Sequence, residues 1–184
     1  VLESTNTNAF GLFDGHSSPG GIGGVWSNDA FNSGETGTYF IGKMDAFSVY
    51  DSVLTDTQIE EDSCFDSGPP VSGCEAIAGY EAYWNFDVAN GADDASGNGH
   101  DVYATLGTIT YDGSDIIQGD QSVIFNGSSS IQYAQSGNGT FMMNAHNART
   151  VMAWVKPTNL SGLQNIFDEG GGTIGIAIRL NGSL

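Results

Sequence analysis

The stretch Asp93-Asp94-Ala95-Ser96-Gly97-Asn98-Gly99-His100-Asp101 crowds side-chain and main-chain oxygens into one short segment. Calcium takes roughly six to eight hard oxygen ligands in flexible geometry, so a calcium loop is one reading. A solvated acidic turn is the other, because Asp and Asn serve turn chemistry by bonding nearby main-chain groups. His16, His100 and His146 lack the spacing of a metal-ligand cluster and sit among Gly, Ser or Asn, so no transition-metal site is expected. Cys64 and Cys74 flank Gly68-Pro69-Pro70, which can turn the chain. A local disulfide is sterically open to them, and two free thiols are the alternative. A closed loop this short would add on the order of 2–3 kcal/mol.

Catalytic signatures are missing. Glu60-Glu61-Asp62 is the densest carboxylate run, but it falls at a helix end. No Glu-x-Asp-x-x-Glu strand and no Gly-x-Ser-x-Gly elbow occurs. Gly20-Gly21-Ile22-Gly23-Gly24 and Gly170-Gly171-Gly172 do not open helices, so they read as turns rather than phosphate cradles. Among the aromatic residues, Trp84 and Trp154 read as core. Trp26, in a Gly/Ser/Asn loop, is the candidate for stacking on a sugar. Sequons at Asn126, Asn138, Asn159 and Asn181 would mark surface loops in a glycosylating organism, although Asn181 in a tight turn would be a poor acceptor.

Charge narrows the partners. The chain has 184 residues with 22 Asp+Glu against 4 Lys+Arg, a formal net charge of −18. Phosphate backbones are bound by clustered Lys and Arg that release counterions, so nucleic acid is excluded as a partner. Anionic lipid is disfavoured for the same reason, and no apolar run approaches the ~20 residues that span a bilayer. Hydrophobic residues at 39% still suffice for a core, which excludes a disordered acidic tail. One Cys pair around a Gly/Pro-rich linker in a Lys-poor chain suggests an extracellular setting.

The elements that must position these groups are strands. Ile174, Ile176, Ile178 and Leu180 alternate with small or polar residues. Asp45, Phe47 and Val49 alternate with Met44, Ala46, Ser48 and Tyr50, and Trp84 and Phe86 with Tyr83, Asn85 and Asp87. Val123-Ile124-Phe125, Ile131-Gln132-Tyr133 and Val151 to Val155 are similar short runs bounded by turn residues. This period-2 pattern predicts an all-β sandwich or jelly roll. Thr55 with Gln58 three residues on predicts one short capped helix over 55–61. Composition breaks at 62–80, dividing the chain into 1–61, a linker carrying Cys64 and Cys74, and 81–184. Asn181-Gly182 reads as a hairpin turn. Its returning strand is absent, and Val1-Leu2-Glu3-Ser4 has the apolar character to supply it.

Tyr83-Trp84-Asn85-Phe86-Asp87, the Asp94 to His100 loop, Val123 to Gly127 and Thr150 to Pro157 form a succession. It resembles the first half of the laminin-G-like, concanavalin-like jelly roll of bacterial-type surface proteins. Residues 40–59, with Gly42-Lys43-Met44-Asp45-Ala46-Phe47-Ser48-Val49-Tyr50-Asp51, then Leu54-Thr55 and Ile59, resemble that family's final strand and helix. The family's ending therefore comes first and its beginning last. The chain is a window on a tandem array, a circular permutant, or a subunit completed by its neighbour. The head-to-tail seam, with Val1, Leu2, Ile176, Ile178 and Leu180 as its strand-completion residues, allows all three, and one repeat of a long array is favoured. The resemblance implies a structural calcium held by side chains of Asp45, Asp87 and Asn98 and by carbonyls of Gly99 or His100, with Asp94 as a possible extra ligand. It further implies a non-catalytic extracellular adhesive or filament-building repeat whose partner is another copy of itself. A carbohydrate-binding module and a secreted glycoside hydrolase fragment are the rival readings.

Overall fold

The computed structural model describes residues 14–16, 18, 20–25, 39–63, 79–87, 93–102, 104–133, 140–171 and 174–182. Val1, Leu2, Trp26, Cys64, Cys74 and Asn138 lie outside the described residues. The chain is mostly β, with two antiparallel sheets face to face, a sandwich compatible with a jelly roll. The first sheet runs β10 (Gly175–Gly182), β9 (Gly162–Gly170), β1 (Gly21–Ile22), β7 (Ser130–Gln132), β4 (Ala104–Leu106). The second is built on β2 (Ile41–Tyr50). On one edge β2 pairs with β8 (Thr150–Pro157) along nearly its whole length, from Gly42 opposite Pro157 to Tyr50 opposite Thr150. On its other edge it pairs first with β6 (Ser122–Asn126) and then with β3 (Ala82–Trp84). β5 (Thr110–Asp112) adds to β6.

Strands of both segments thus share both sheets. β1 sits between β7 and β9, and β2 between β8 and the β6/β3 pair. The pairing that completes each sheet is made inside one chain. It exists because β2 is flanked by backbone whose N–H and C=O groups all need partners once buried.

The core lies between the sheets. Phe47 and Trp84 from the second sheet meet Tyr133 and Phe167 from the first in a closed square of rings. Centroids stand 5.8 Å (Phe47–Trp84), 5.7 Å (Trp84–Tyr133), 5.7 Å (Tyr133–Phe167) and 5.5 Å (Phe167–Phe47) apart. Such tilted or offset contacts suit the ring quadrupole, each adding about 0.5–1.5 kcal/mol beyond burial. All four rings are almost fully enclosed.

Among the described residues two short helices are present, where one was expected. α1 (Asp56–Ser63) follows the capping-box pattern, with Gln58 N–H donating to Thr55 Oγ1 at 3.3 Å and Thr55 N–H donating to Gln58 Oε1 at 2.9 Å. α2 (Thr140–Met143) is only four residues and has no amphipathic period to read. Arg149 holds it by donating to the carbonyls of Phe141 and Met142. Asn181-Gly182 is not the expected turn. Both residues belong to β10, opposite Leu163 and Gly162. The glycine is there because the Leu160–Ser161 backbone passes so close that a Cβ would collide with it. Among the described residues no helix is long and apolar enough to cross a membrane.

Phe47 touches the square from both sides, so Phe47→Ala should cost about 3–5 kcal/mol. Thr55→Ala should cost only about 1 kcal/mol. Urea unfolding of both variants checks the ranking, and a smaller loss for Phe47→Ala than for Thr55→Ala would contradict it.

Candidate functional site

The loop at 113–121 folds over the outward face of the second sheet, and two carboxylates hold it there. Asp45 Oδ2 accepts the N–H groups of Ile117 (2.6 Å) and Gln118 (3.1 Å), while Oδ1 accepts that of Ala46 (2.8 Å). Asp87 Oδ1 accepts the N–H groups of Asp120 (2.5 Å) and Gln121 (3.1 Å). Gly119, at φ +71°, lies against the Asp87 carboxylate with no room for a side chain. Gln118 is fixed from beneath by the Tyr83 hydroxyl, which donates to its Oε1.

Backbone strain marks the same corner. The positive-φ non-glycine residues among the described residues are Ala46 (φ 49°), Phe86 (φ 57°) and Asp115 (φ 58°). Ala46 follows Asp45 at the point where the β2–β8 register slips. Phe86 precedes Asp87, and Asp115 lies in the loop itself. A left-handed conformation costs a bulky residue such as Phe on the order of 1–3 kcal/mol and persists only where its surroundings enforce it. Here it turns each aspartate toward the loop.

Between the loop and the β2–β8 pair lies a groove of about 260 Å³, lined among others by Trp154, Lys43, Lys156, Asp115, Ile116 and Ile117. The register puts Lys43 opposite Lys156 and Asp45 opposite Trp154, so these four side chains share the outward face. Val151, Ala153 and Val155 take the inward face and pack on the core. Trp154 was expected in the core and is instead a half-buried wall of the groove. The alternation around it carried that signal, whereas its aromatic character alone did not.

Both lysines of the groove are paired with carboxylates. Lys43 donates to Asp112 Oδ2 (2.5 Å), Asp115 Oδ2 (2.9 Å) and Ser114 Oγ (2.7 Å). Lys156 donates to Asp115 Oδ1. The Lys43 ammonium holds the Asp112 carboxyl below the usual carboxylate range. Lys156 and Lys43 do the same for Asp115. Asp45 goes the other way. Burial pushes it up to about 6, against the downward pull of its three N–H donors, and the nearby Asp87 charge adds to the rise.

The residues expected to hold calcium fall into two groups. Asp94, Asn98 and His100 share the 93–101 loop; Asp45 and Asp87 clamp the 113–121 loop. Asp94 accepts N–H groups from Tyr83, Ser96 and His100 and the Ser96 hydroxyl. Burial alone would raise its pKa, but those donors hold it below the usual range. The His100 carbonyl accepts the Trp84 indole N–H at 3.1 Å. Asn98 donates to the carbonyls of Tyr80 and Glu81. N–H dipoles thus face most of the oxygens that a cation would need. Among the described residues no three His, Cys, Asp or Glu side chains group as a metal site.

Buried carboxylates on β9 escaped the sequence reading. Glu169, with no exposed surface, stands 3.1 Å from His16 Nε2 and 3.6 Å from Arg149. Asp168 meets Arg179 at 3.4 Å. Successive strand residues point to opposite faces, so this pair does not flank one bond as glycosidase carboxylates do. Of the sequons, Asn126 and Asn159 open turns, their Oδ1 atoms accepting the N–H groups of Ser128 and Ser161. Asn181 lies in β10.

Among the described residues, β10 bonds β9 on one side and ends the strand order of its sheet. Ile176 and Leu180 pack on the core, while Ile174 and Ile178 are each 36% exposed. Comparison with protein families, with curated proteins and with solved structures finds no match to this chain.

Asp45 makes stability pH-dependent with a definite sign. Its folded pKa lies above the unfolded value of ~3.9, so the folded state binds the proton more tightly. This contribution is fully present below about pH 4 and is lost as pH rises through about 6. Asp45→Asn should remove that part of the slope between pH 4 and 6, measured by urea unfolding. Identical slopes in both proteins would show that the carboxyl is not raised.

Proposed function

We propose that the chain is a non-catalytic extracellular structural or adhesive repeat of laminin-G-like, concanavalin-like type. Its copies join by adding strands to the open edge of β10. The observation that carries this reading is the edge itself. β10 is eight residues long, with Ile178 exposed on it and Ile174 exposed just before it. Long apolar edges invite pairing with another chain unless a Lys, a Pro or a bulge blunts them. The one cation on β10, Arg179, is turned back onto its own sheet by bonds to Asn165 Oδ1 (2.7 Å) and Asp168 Oδ2 (3.4 Å). It does not guard the edge. Main-chain hydrogen bonds would supply the affinity of such a joint, and alternate side chains its register.

The non-catalytic part of the reading is supported by the carboxylates. Those on β9 are buried in ion pairs, and those near the groove are spent on N–H groups and lysines. The order of family-like segments supports the laminin-G-like part, since the piece resembling the family's last strand inserts as β2 beside pieces resembling its first strands.

Self-association should therefore be measurable by sedimentation. Copies carrying −18 each repel one another, so association should strengthen as salt rises toward ~0.5 M and shortens the Debye length. Ile178→Lys should leave the fold intact and abolish association, and deletion of Val1-Leu2-Glu3-Ser4 should do the same if that segment supplies the added strand. A wild-type protein that stays monomeric at all salt concentrations would overturn the reading. So would an Ile178→Lys protein that still assembles.

A further inference from the structure

We infer that the flank formed by β8 and β10 is the contact face of a two-fold dimer, in which β10 pairs antiparallel with β10 of a second copy about Ile178. This deepens the strand-addition reading and rests on it, since it names the added strand and fixes the number of copies at two.

The flank comes first. Only residues 158–161 separate β8 from β9, and β10 lies beside β9, so β8 and β10 border the same side of the sandwich. Among the described residues β8 pairs only with β2 and β10 only with β9. Each of the two strands is eight residues long. Their core-facing side chains are not closed off. Val151, Ala153, Val155, Ile176 and Leu180 pack on the core but are only partly buried, and Ile178 is 36% exposed. The opposite side of the sandwich ends in β4 and β5, three residues each. A strand of three residues cannot answer one of eight, whereas another β10 matches it in length.

Charge favours a second copy at this face. Residues 1–120 hold 20 of the 22 acidic residues and one cation, Lys43, a net −19. Residues 121–184 hold Asp168 and Glu169 with three cations, Arg149, Lys156 and Arg179, a net +1. Both acids are buried and paired, Asp168 with Arg179 and Glu169 with Arg149 and His16. β8 and β10 themselves contain no acid. Asp45 and Asp115, which line the groove beside β8, belong to the outward side of the second sheet, and Asp115 is held by Lys156. The flank is thus where two chains of −18 meet with the least repulsion.

The main chain sets the register. Gly171 N–H donates to the Ile174 carbonyl at 2.9 Å. Hydrogen-bonded and non-hydrogen-bonded pairs alternate along an antiparallel ladder. Main-chain groups of Ile174, Ile176 and Ile178 therefore turn toward β9, and those of Gly175, Ala177 and Arg179 toward the open side. Pairing about Ile178 bonds Ala177 to Arg179 of the second copy and Gly175 to its Asn181. It sets Ile178 against its own mate and Ile176 against Leu180, so the half-exposed apolar side chains cover one another. Pairing about Arg179 would oppose two guanidinium groups. Pairing about Ala177 would leave fewer residues of β10 in register. A closed two-fold pair uses up the edge and leaves no open end.

The test combines sedimentation equilibrium of the full chain at about 0.5 M salt with disulfide trapping. The wild-type protein should reach twice its 19.2 kDa mass and stop there as concentration rises. Residues opposed in a non-hydrogen-bonded antiparallel pair have Cα atoms about 4.5 Å apart, within the range a disulfide bridges. Ile178→Cys should therefore cross-link two copies on mild oxidation, with the peptide containing position 178 joined to its own duplicate in mass spectra. Ala177→Pro removes an N–H that faces the open side. It should keep the circular dichroism of the fold and weaken dimerisation by roughly tenfold or more. Ile178→Cys decides the matter if Ala177→Pro fails to fold. Deleting Val1-Leu2-Glu3-Ser4 should leave the dimer unchanged. Four results would overturn this inference while strand addition at β10 stands: assembly beyond two copies, loss of assembly on that deletion, association that ignores Ala177→Pro, or association without the cross-link at 178. A protein monomeric at every salt concentration would overturn both.

Discussion

Strand β2 is hydrogen-bonded along both edges, and the rest of the structure depends on that. On one side it meets β8 and on the other β6 and β3, all of which follow it in the chain. A strand so placed exposes neither edge, and its last seven residues are buried. It therefore fixes which residues form the core and which face outward. Lys43 and Asp45 face the loop and Met44 the core, and the slip after Asp45 turns Phe47, which shares their parity, back to the ring square. Moving β2 by one residue would exchange these sets. The groove and the core are thus two readouts of one register.

That register is interrupted once, at Ala46, and the interruption is useful. It lies where β2 changes partner from β6 to β3. A bulge twists the strand and re-aims its side chains, and here it lets Asp45 reach the N–H groups of Ile117 and Gln118. The left-handed turn at Phe86 does the same for Asp87. Two aspartates in a strongly acidic chain are thereby answered by peptide dipoles rather than by scarce cations. The lysines are left to organise the opposite lip of the groove through Asp112 and Asp115.

Where one face of a strand was apolar, the fold was legible in the sequence. β10, β6, β7 and β8 correspond to the alternating runs, and the Thr55–Gln58 pair announced α1 before any packing was known. β9 was not legible. Gln164, Asn165, Asp168 and Glu169 are all buried in it alongside Ile166 and Phe167, so its period-2 signal is erased. α2 is too short to carry a pattern. At the site, Asp45, Asp87 and Asp94 were expected as calcium ligands, and their oxygens accept main-chain N–H groups. Asp45 and Asp87 meet N–H groups of a loop distant in sequence, which composition cannot disclose, whereas Asp94 meets those of Ser96 and His100 in its own loop. Trp154 was misplaced because aromatic size was weighed above its parity with Val151, Ala153 and Val155.

The pairing of β2 with β8 also has a temporal side. Thr150 and Ser52 are joined by a hydrogen bond across 98 positions. A ribosome adding roughly 5–20 residues per second leaves β2 waiting on the order of 5–20 s for that partner. Throughout that interval the nascent chain holds a ten-residue strand with a bare flank. Topologies of such high contact order fold slowly and are open to misassembly meanwhile. Shielding β2 during that interval is thus a demand of this topology separate from its finished stability.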